Sequence, residues 1–321
     1  MIEVQIANGN IVYAPAVEGG ITWETTRAGE PGCVRFTCLQ DSKLKISEGN
    51  AVQLFKDGTA FFFGFIFNIK RGKTNEVQIT AYDQLRYLKN KDTYVLQNRT
   101  ADLVVYRIIL DFNLRKGTLA NTKYKLADRV EDNKTLFDII QRALDETLRG
   151  TYQLYVLYDD VGKLTLKNVE DMKLNILIDA STGQSFDYSS SINENTYNQV
   201  KLMYDNEEAG TREVYISKDT ESINKWGVLQ YFEKINENQG FFTRAKADKL
   251  LRLYNAPTKT LKVNGVFGDI RVRAGTSVVV KMDLEDVKLS NYMLVEKVKH
   301  KFDNGLHTMD LQLRGGDINS A

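Results

Sequence analysis

Two cysteines, three prolines and two histidines in 321 residues exclude much of the chemistry a chain of this size could carry. Cys33 and Cys38 stand at odd spacing in GCVRFTCL, on opposite faces of a strand, so no disulfide joins them and both read as buried structural thiols. His300 and His307 flank one expected hairpin turn, Asn304-Gly305. A two-residue turn there sets His307 opposite Phe302 and His300 opposite Met309, so the two imidazoles are not expected to converge. With the cysteines in one strand and the histidines in another distant element, no zinc spacing arises, and no metal or cofactor is expected. GxSxG, Walker A, GxGxxG and HExxH are also missing, which leaves Ser and Thr hydroxyls without a base to activate them.

Excess charge is missing too. Lys+Arg total 43 against Asp+Glu 42, interspersed, so no net field steers a polyanion, and nucleic acid is not expected as a main partner. MIEVQIANGN has neither a basic nor an apolar leader segment, and no apolar run reaches the ~18 residues of a membrane span. Synthesis in the cytoplasm without membrane insertion is the expectation. The carboxylate clusters Asp159-Asp160, Glu207-Glu208, Glu131-Asp132 and Asp283/Glu285/Asp286 fall at expected turns and loops, where acids are solvated. A wall-degrading enzyme using such carboxylates, or a carbohydrate-binding β module using the many tyrosines, stands as an alternative to a chain without catalytic residues.

What is present is β pattern. Residues 1–95 read as strands Ile2–Ile6, Ile21–Glu24, Cys33–Leu39, Ala51–Phe55, Phe61–Lys70 and Glu76–Tyr82, with Asp57-Gly58 as a hairpin turn, which suggests a small barrel or sandwich. Phe61, Phe63 and Phe65 with Phe62 put aromatics on both faces of one strand, so a second element or another subunit must cover one face; these residues and the turn aromatic Trp226 are the candidate interface residues. Residues 96–180 form an α/β unit. Leu103, Tyr106, Arg107 and Leu110 carry helical spacing. A second helix is capped by Thr135 and Asp138, carries the stripe Leu136, Ile140, Ala143, Leu144, Leu148, and is stopped by Gly150; a hairpin around Asp159–Gly162 follows. Residues 207–256 read as another α/β unit, with two strands separated by a turn near Asn224 and a helix ending before Pro257.

An internal repeat organises these pieces. ITWETTRAGEPGCVRFTCL (21–39) resembles FDYSSSINENTYNQVKLMY (186–204), the second strands matching with a one-residue slip. Gly49, Val52 and Leu54 match Gly275, Val278 and Val280; Ile66, Ile69 and Lys70 match Val295, Val298 and Lys299; Val77/Ile79 correspond to Met309/Leu311/Leu313. Two copies of one β-barrel account for this, one at 1–95 and one split between 181–206 and 257–315, with 316–321 as a tail; alternating strands that match by chance are the competing account.

Stretches such as AYDQLRYLKNKDTYV, VEDNKTLFDIIQRALD, YVLYDDVGKLTLKN and INKWGVLQYFEK resemble the XkdQ/YqbQ-type proteins of prophage tails, which belong with the gpD-like (late control) baseplate hub proteins of contractile-tail phages and R-type bacteriocins. The resemblance runs from about residue 30 to about 315. It implies a mainly β fold with α/β insertions, in which two tail-tube-like β-barrel domains and two smaller α/β domains build a homotrimer with a pseudo-sixfold ring. It implies a structural, non-enzymatic baseplate hub that adapts a hexameric tail tube to a trimeric spike. The expected partners are the tube or tube-initiator protein, the spike, the tape-measure protein and baseplate wedge proteins, at the distal end of the tail. Some relatives carry fused spike or hydrolase domains, and this chain is expected to leave such work to another polypeptide.

Overall fold

The computed structural model describes all residues except 41–42, 74, 207–209, 236–242, 284–287 and 316–321. The chain begins with seven strands, β1 (Ile2–Asn8), β2 (Ile11–Tyr13), β3 (Val17–Thr26), β4 (Cys33–Leu39), β5 (Ala51–Lys56), β6 (Thr59–Arg71) and β7 (Glu76–Tyr82). A short 3-10 turn, Gln84–Lys89, then leads into β8 (Lys91–Leu96), α1 (Ala101–Asp111), β9 (Lys116–Leu119), β10 (Arg129–Thr135), α2 (Leu136–Thr151), β11 (Tyr155–Asp159) and β12 (Leu164–Asn168). After β13 (Lys173–Asp179) and β14 (Ser185–Ser191) comes a small unit of β15 (Gln199–Asn206), β16 (Thr211–Lys218), α3 (Thr220–Trp226), β17 (Gln230–Lys234) and α4 (Thr243–Tyr254). The chain closes with β18 (Thr258–Phe267), β19 (Ser277–Asp283), β20 (Lys288–Asp303) and β21 (Leu306–Gly315). Among the described residues no helix is long and apolar enough to cross a membrane.

Turn chemistry fixes the registers. Asp57-Gly58 and Asn304-Gly305 both hold positive φ at both positions (50° and 80°; 49° and 79°), the geometry a two-residue hairpin of this twist needs. Thr135 caps α2 by accepting a hydrogen bond from the Asp138 amide at 3.1 Å.

Thirteen strands form one sheet, and the other eight form one two-stranded and two three-stranded sheets. None of these paths closes on itself among the described residues. The sheet order contains the repeat: β3-β4-β7-β6-β5-β1 in the first half and β14-β18-β21-β20-β19-β13 in the second. Each half has its own core. Val4, Phe36, Leu54, Ile66 and Ile79 belong to the first, Leu261, Val280, Val295 and Leu311 to the second. A third core packs α1 and α2 on β11, β12 and β8, and a fourth packs α4 on β15.

Several expectations need correction. Gln199–Asn206, read as the second strand of the repeat, pairs instead with β16 and β17; the place of β4 is taken by β18, and the place of β1 by β13, which pairs in parallel where β1 pairs antiparallel. The one-residue slip in that alignment matters physically, because it puts every side chain on the wrong face. Helix α1 forms, but Leu103, Tyr106 and Leu110 lie on its exposed side, and Ala101, Val104, Val105, Ile108 and Ile109 face the core. Gly150 does not stop α2: the helix runs to Thr151 and ends with Tyr152 in the left-handed region, while a Cβ on Gly150 would meet the Tyr124 ring at 2.2 Å. The expected turn near Asn224 is helix α3, with Trp226 as its last residue and Gly227 as its cap.

Candidate functional site

The two repeats meet along one strand pair. β20 runs antiparallel to β3, with Lys297 opposite Thr26, His300 opposite Trp23 and Phe302 opposite Ile21, so the halves share a continuous sheet. Glu296 sits at a one-residue bulge of β20 and anchors the end of this seam. Its carboxylate pairs with Arg27 at 2.7 Å and Arg314 at 2.9 Å, while its carbonyl accepts from the Arg27 amide at 2.9 Å. Lys297 pairs with Glu24 across the same seam at 2.7 Å.

Behind it lies an aromatic stack. His300 stacks on Trp23 (4.6 Å between centroids), Trp23 meets Phe61 at 5.0 Å, Phe61 meets Phe302 at 5.4 Å, and Phe302 stacks on His307 at 4.1 Å. The histidine register is as the turn predicts, His307 opposite Phe302 and His300 opposite Met309. The imidazoles nevertheless converge, with His307 Nε2 2.9 Å from His300 Nδ1. His300 and Phe302 share a face of β20, so the residue opposite Phe302 is the diagonal neighbour of His300, and diagonal pairs lie within reach of long side chains. That signal was in the sequence.

Proton positions in this chain of bonds follow from one fact: an ammonium only donates. Lys56 Nζ donates to His307 Nδ1 at 2.8 Å, His307 Nε2 therefore donates to His300 Nδ1, and His300 Nε2 donates to the Val272 carbonyl at 2.9 Å. Both rings are neutral. Burial, with His307 alongside, pushes His300 down to about 3; burial and the Lys56 charge push His307 down to about 4. Among the described residues no group of three or more His, Cys, Asp or Glu is arranged to hold a metal ion.

A second buried group ties three parts of the chain together. Asp83, the cap of the 3-10 turn, accepts from the amides of Gly32 (2.9 Å) and Leu85 (3.0 Å). Asp159 accepts from the amides of Gln84 (3.2 Å) and Gly162, and Arg273 donates to the Asp159 carbonyl at 2.6 Å while lying 4.2 Å from the centre of the Tyr158 ring. Burial first, and the Asp159 carboxylate second, hold the Asp83 carboxyl well above the usual range. The first half, the α/β unit and the second half each contribute one charged group.

The carboxylates expected at solvated turns therefore divide. Asp159 is buried, and so is Glu131, which pairs with Arg129 and Arg142; Asp132 and Asp160 are exposed, as is Asp283, which pairs with Lys288 at 3.4 Å. Glu207, Glu208, Glu285 and Asp286 lie outside the described residues. The sequence-expected interface residues divide too. Phe61 is core. Phe63 is half-buried under Arg115 (5.2 Å) and beside Phe65 (5.6 Å), and Phe65 faces Tyr87 (6.4 Å), so the chain's own 3-10 turn and α/β unit cover this face. Trp226 is half-buried, with Lys225 5.9 Å from its ring. Cys33 and Cys38 are free and buried, and burial pushes Cys33 up to about 11.

A cleft of about 510 Å³ opens between α2 and α4, lined by Arg129, Arg142, Arg149, Glu146, Glu233 and Lys249 among others. Its charges largely neutralise one another: Arg129 bridges Glu131 and Glu146, and Lys246 pairs with Glu233 at 2.9 Å. Tyr152 donates to the Lys249 carbonyl at 2.9 Å across it, so the arrangement holds the small unit against α2.

A family described as YQBQ-like matches residues 21–314, a span that takes in both halves and everything between them. The chain belongs to the YQBQ-like family. A relative of this YQBQ-like chain, the phage-like element PBSX protein XkdQ of Bacillus subtilis (strain 168), is 31% identical over 84% of the chain and 82% of its own length. The fold is also that of a tail protein from Neisseria meningitidis MC58 (TM-score 0.70, 11% identity, 99% and 98% of the two chains). It is shared as well by the E. coli c3393 protein, a component of the type VI secretion system described as structurally similar to T4 bacteriophage tail proteins gp27 and gp5 (TM-score 0.61, 8% identity, 98% and 77% covered).

Proposed function

We propose that this protein is a structural component of a phage tail or tail-like particle, acting as the baseplate hub of a contractile tail. The observation that carries this reading is the duplicated sheet order, β3-β4-β7-β6-β5-β1 against β14-β18-β21-β20-β19-β13, in a fold shared with tail proteins. Each half serves as a tube-like barrel unit. Three chains then offer six similar units to a hexameric tube on one side and threefold symmetry to a spike on the other. Tape-measure and baseplate wedge proteins are the further partners, and the α/β unit from β8 to β12 and the small unit from β15 to α4 are available to meet them, with Trp226 as a contact point. The buried carboxylates serve packing, so no turnover is expected. Carriage to the distal end of the tail follows synthesis in the host cytoplasm.

Single-particle imaging of the purified protein, alone and mixed with its tube-initiator neighbour, tests this. Threefold rings of six similar lobes around a hole are the expected result in one or both samples. Monomers in both would overturn the hub.

A further inference from the structure

The two halves correspond closely enough to be superposed by register. Trp23 stands opposite Val34 as Tyr188 stands opposite Leu261. Ile66 stands opposite Ala81 as Val295 stands opposite Leu313, and in both strands the next residue, Phe67 or Glu296, is the bulge. The corner ahead of each bulge is the same: the amide of Gly49 donates to the Ile66 carbonyl, and the amide of Gly275 to the Val295 carbonyl, both at 2.8 Å. Gly49 and Gly275 hold φ of 85° and 93°, which an L side chain rarely adopts. Strand β14 is therefore the counterpart of β3, and β6 the counterpart of β20.

One pairing breaks the correspondence. β3 pairs with β20 to make the seam, but β14 pairs, among the described residues, only with β18, and residues 68–71 of β6 only with β7. Both of these edges stand open. Nearly every residue of β14 is exposed, including Phe186 at 48%, and Asn68, Lys70 and Arg71 are exposed on β6. SFDYSSS carries no Pro and no Lys, the residues that usually protect a free edge from pairing. Six strands of the sheet separate the two edges within one chain, from β14 through β18, β21, β20, β3, β4 and β7 to β6. Each chain thus carries one donor edge and one acceptor edge, the requirement for a head-to-tail ring.

We propose that β14 of one copy adds antiparallel to residues 68–71 of β6 in the next copy, repeating between chains the seam that β3 and β20 make within one. The occupant is a second copy of this chain, because the internal seam already shows which surface fits. Transferring the seam's register sets Ser191 opposite Asn68, Ser190 opposite Ile69, Ser189 opposite Lys70 and Tyr188 opposite Arg71. The Ile192 amide then donates to the Phe67 carbonyl as that of Arg27 does to Glu296. The side chains differ in a way that suits the difference in role. Ser189 stands where the internal seam has Glu24, Asn68 where it has Lys297, and Phe67 with Ile192 where it has Glu296 with Arg27. Main-chain hydrogen bonds and one apolar contact replace the ion pairs, so each seam between chains is short and separable, and ring closure adds the seams to one another. The inference rests on the hub reading for the number of copies, three, but takes its edges and register from the repeat alone.

Paired cysteines in the full chain test it. I69C with S190C, and K70C with S189C, place thiols on adjacent cross-strand pairs, one of which is a non-hydrogen-bonded pair of close Cα atoms. Cys33 and Cys38 are buried and do not compete. After mild oxidation, at least one of the two variants should run as a three-chain species on a denaturing gel and return to one chain with reductant, while I69C with F186C should not. Rings seen by mass photometry that cross-link through neither pair would overturn the strand pairing and leave the hub intact. A chain that is monomeric at every concentration and beside its tube neighbour would overturn both. Cross-linking of I69C with F186C in preference to S190C would overturn the register.

Discussion

At the scale of single residues, the most consequential groups are those whose burial sets their charge. His300 and His307 are neutral in the fold because burial disfavours their charged forms and Lys56 already holds a positive charge beside His307. Asp269 is the acidic group facing both. Their folded pKa values, about 3 and about 4, lie below the ordinary 6.5, so the unfolded chain binds protons first as pH falls. Stability from this pair is fully present above about pH 6.5 and is lost as pH falls from there towards 4. Melting temperature measured from pH 7.5 to 4.5 should show this loss, and His307→Gln should flatten that part of the curve; an unchanged slope in the variant would refute the assignment. Glycine 64 makes a steric prediction. A Cβ there would lie 2.3 Å from the Tyr82 carbonyl oxygen, backbone that cannot swing aside, so Gly64→Ala should cost about 2–3 kcal/mol in urea unfolding.

At the scale of elements, turns and periodic strands were legible in the sequence, and the partners of those strands were not. Asp57-Gly58, Asn304-Gly305 and the Thr135 cap announce themselves because their chemistry is local. Gln199–Asn206 alternates like any strand, so its pattern alone could not tell β15 in the small sheet from a member of the repeat. The spacing of Leu103, Tyr106 and Leu110 announced helix α1 but not its buried face. Leu103, Tyr106 and Leu110 are large and well spaced, but the β-branched Val104, Val105 and Ile108 are the ones buried, in the core shared with α2. The role of Glu296 was hidden altogether, because its partners Arg27 and Arg314 are remote in sequence from it or from each other. Removing its charge leaves both guanidiniums half-buried and unpaired, so Glu296→Gln should destabilise by about 1–3 kcal/mol. Hydrogen exchange should quicken first in β3 and in residues 297–302, and equal loss across all sheets would argue against a local seam.

At the scale of the whole molecule, the repeat was the most informative sequence feature, since Ile21/Trp23 with Phe186/Tyr188 and Gly49 with Gly275 mark corresponding positions in the two sheets. What the sequence could not display is that the halves share material. Phe302, from the second half, lies in the core of the first, against Trp23 and Phe61. Phe302→Ala should therefore cost about 3–5 kcal/mol and loosen β4 and β7 as well as β20. Calorimetry of the variant should show both halves melting together at a lower temperature; a first half that melts as before would contradict the shared core.

Strand β20 takes part in three ladders along its length, with β19, β21 and β3. No linker with free torsion angles separates the halves at this point, and a twist applied to one half loads all the hydrogen bonds of the β3–β20 pair together, in shear. Mechanically the chain is a strut and not a hinge. A push delivered to one half of the chain would reach the other without being absorbed by bending between them.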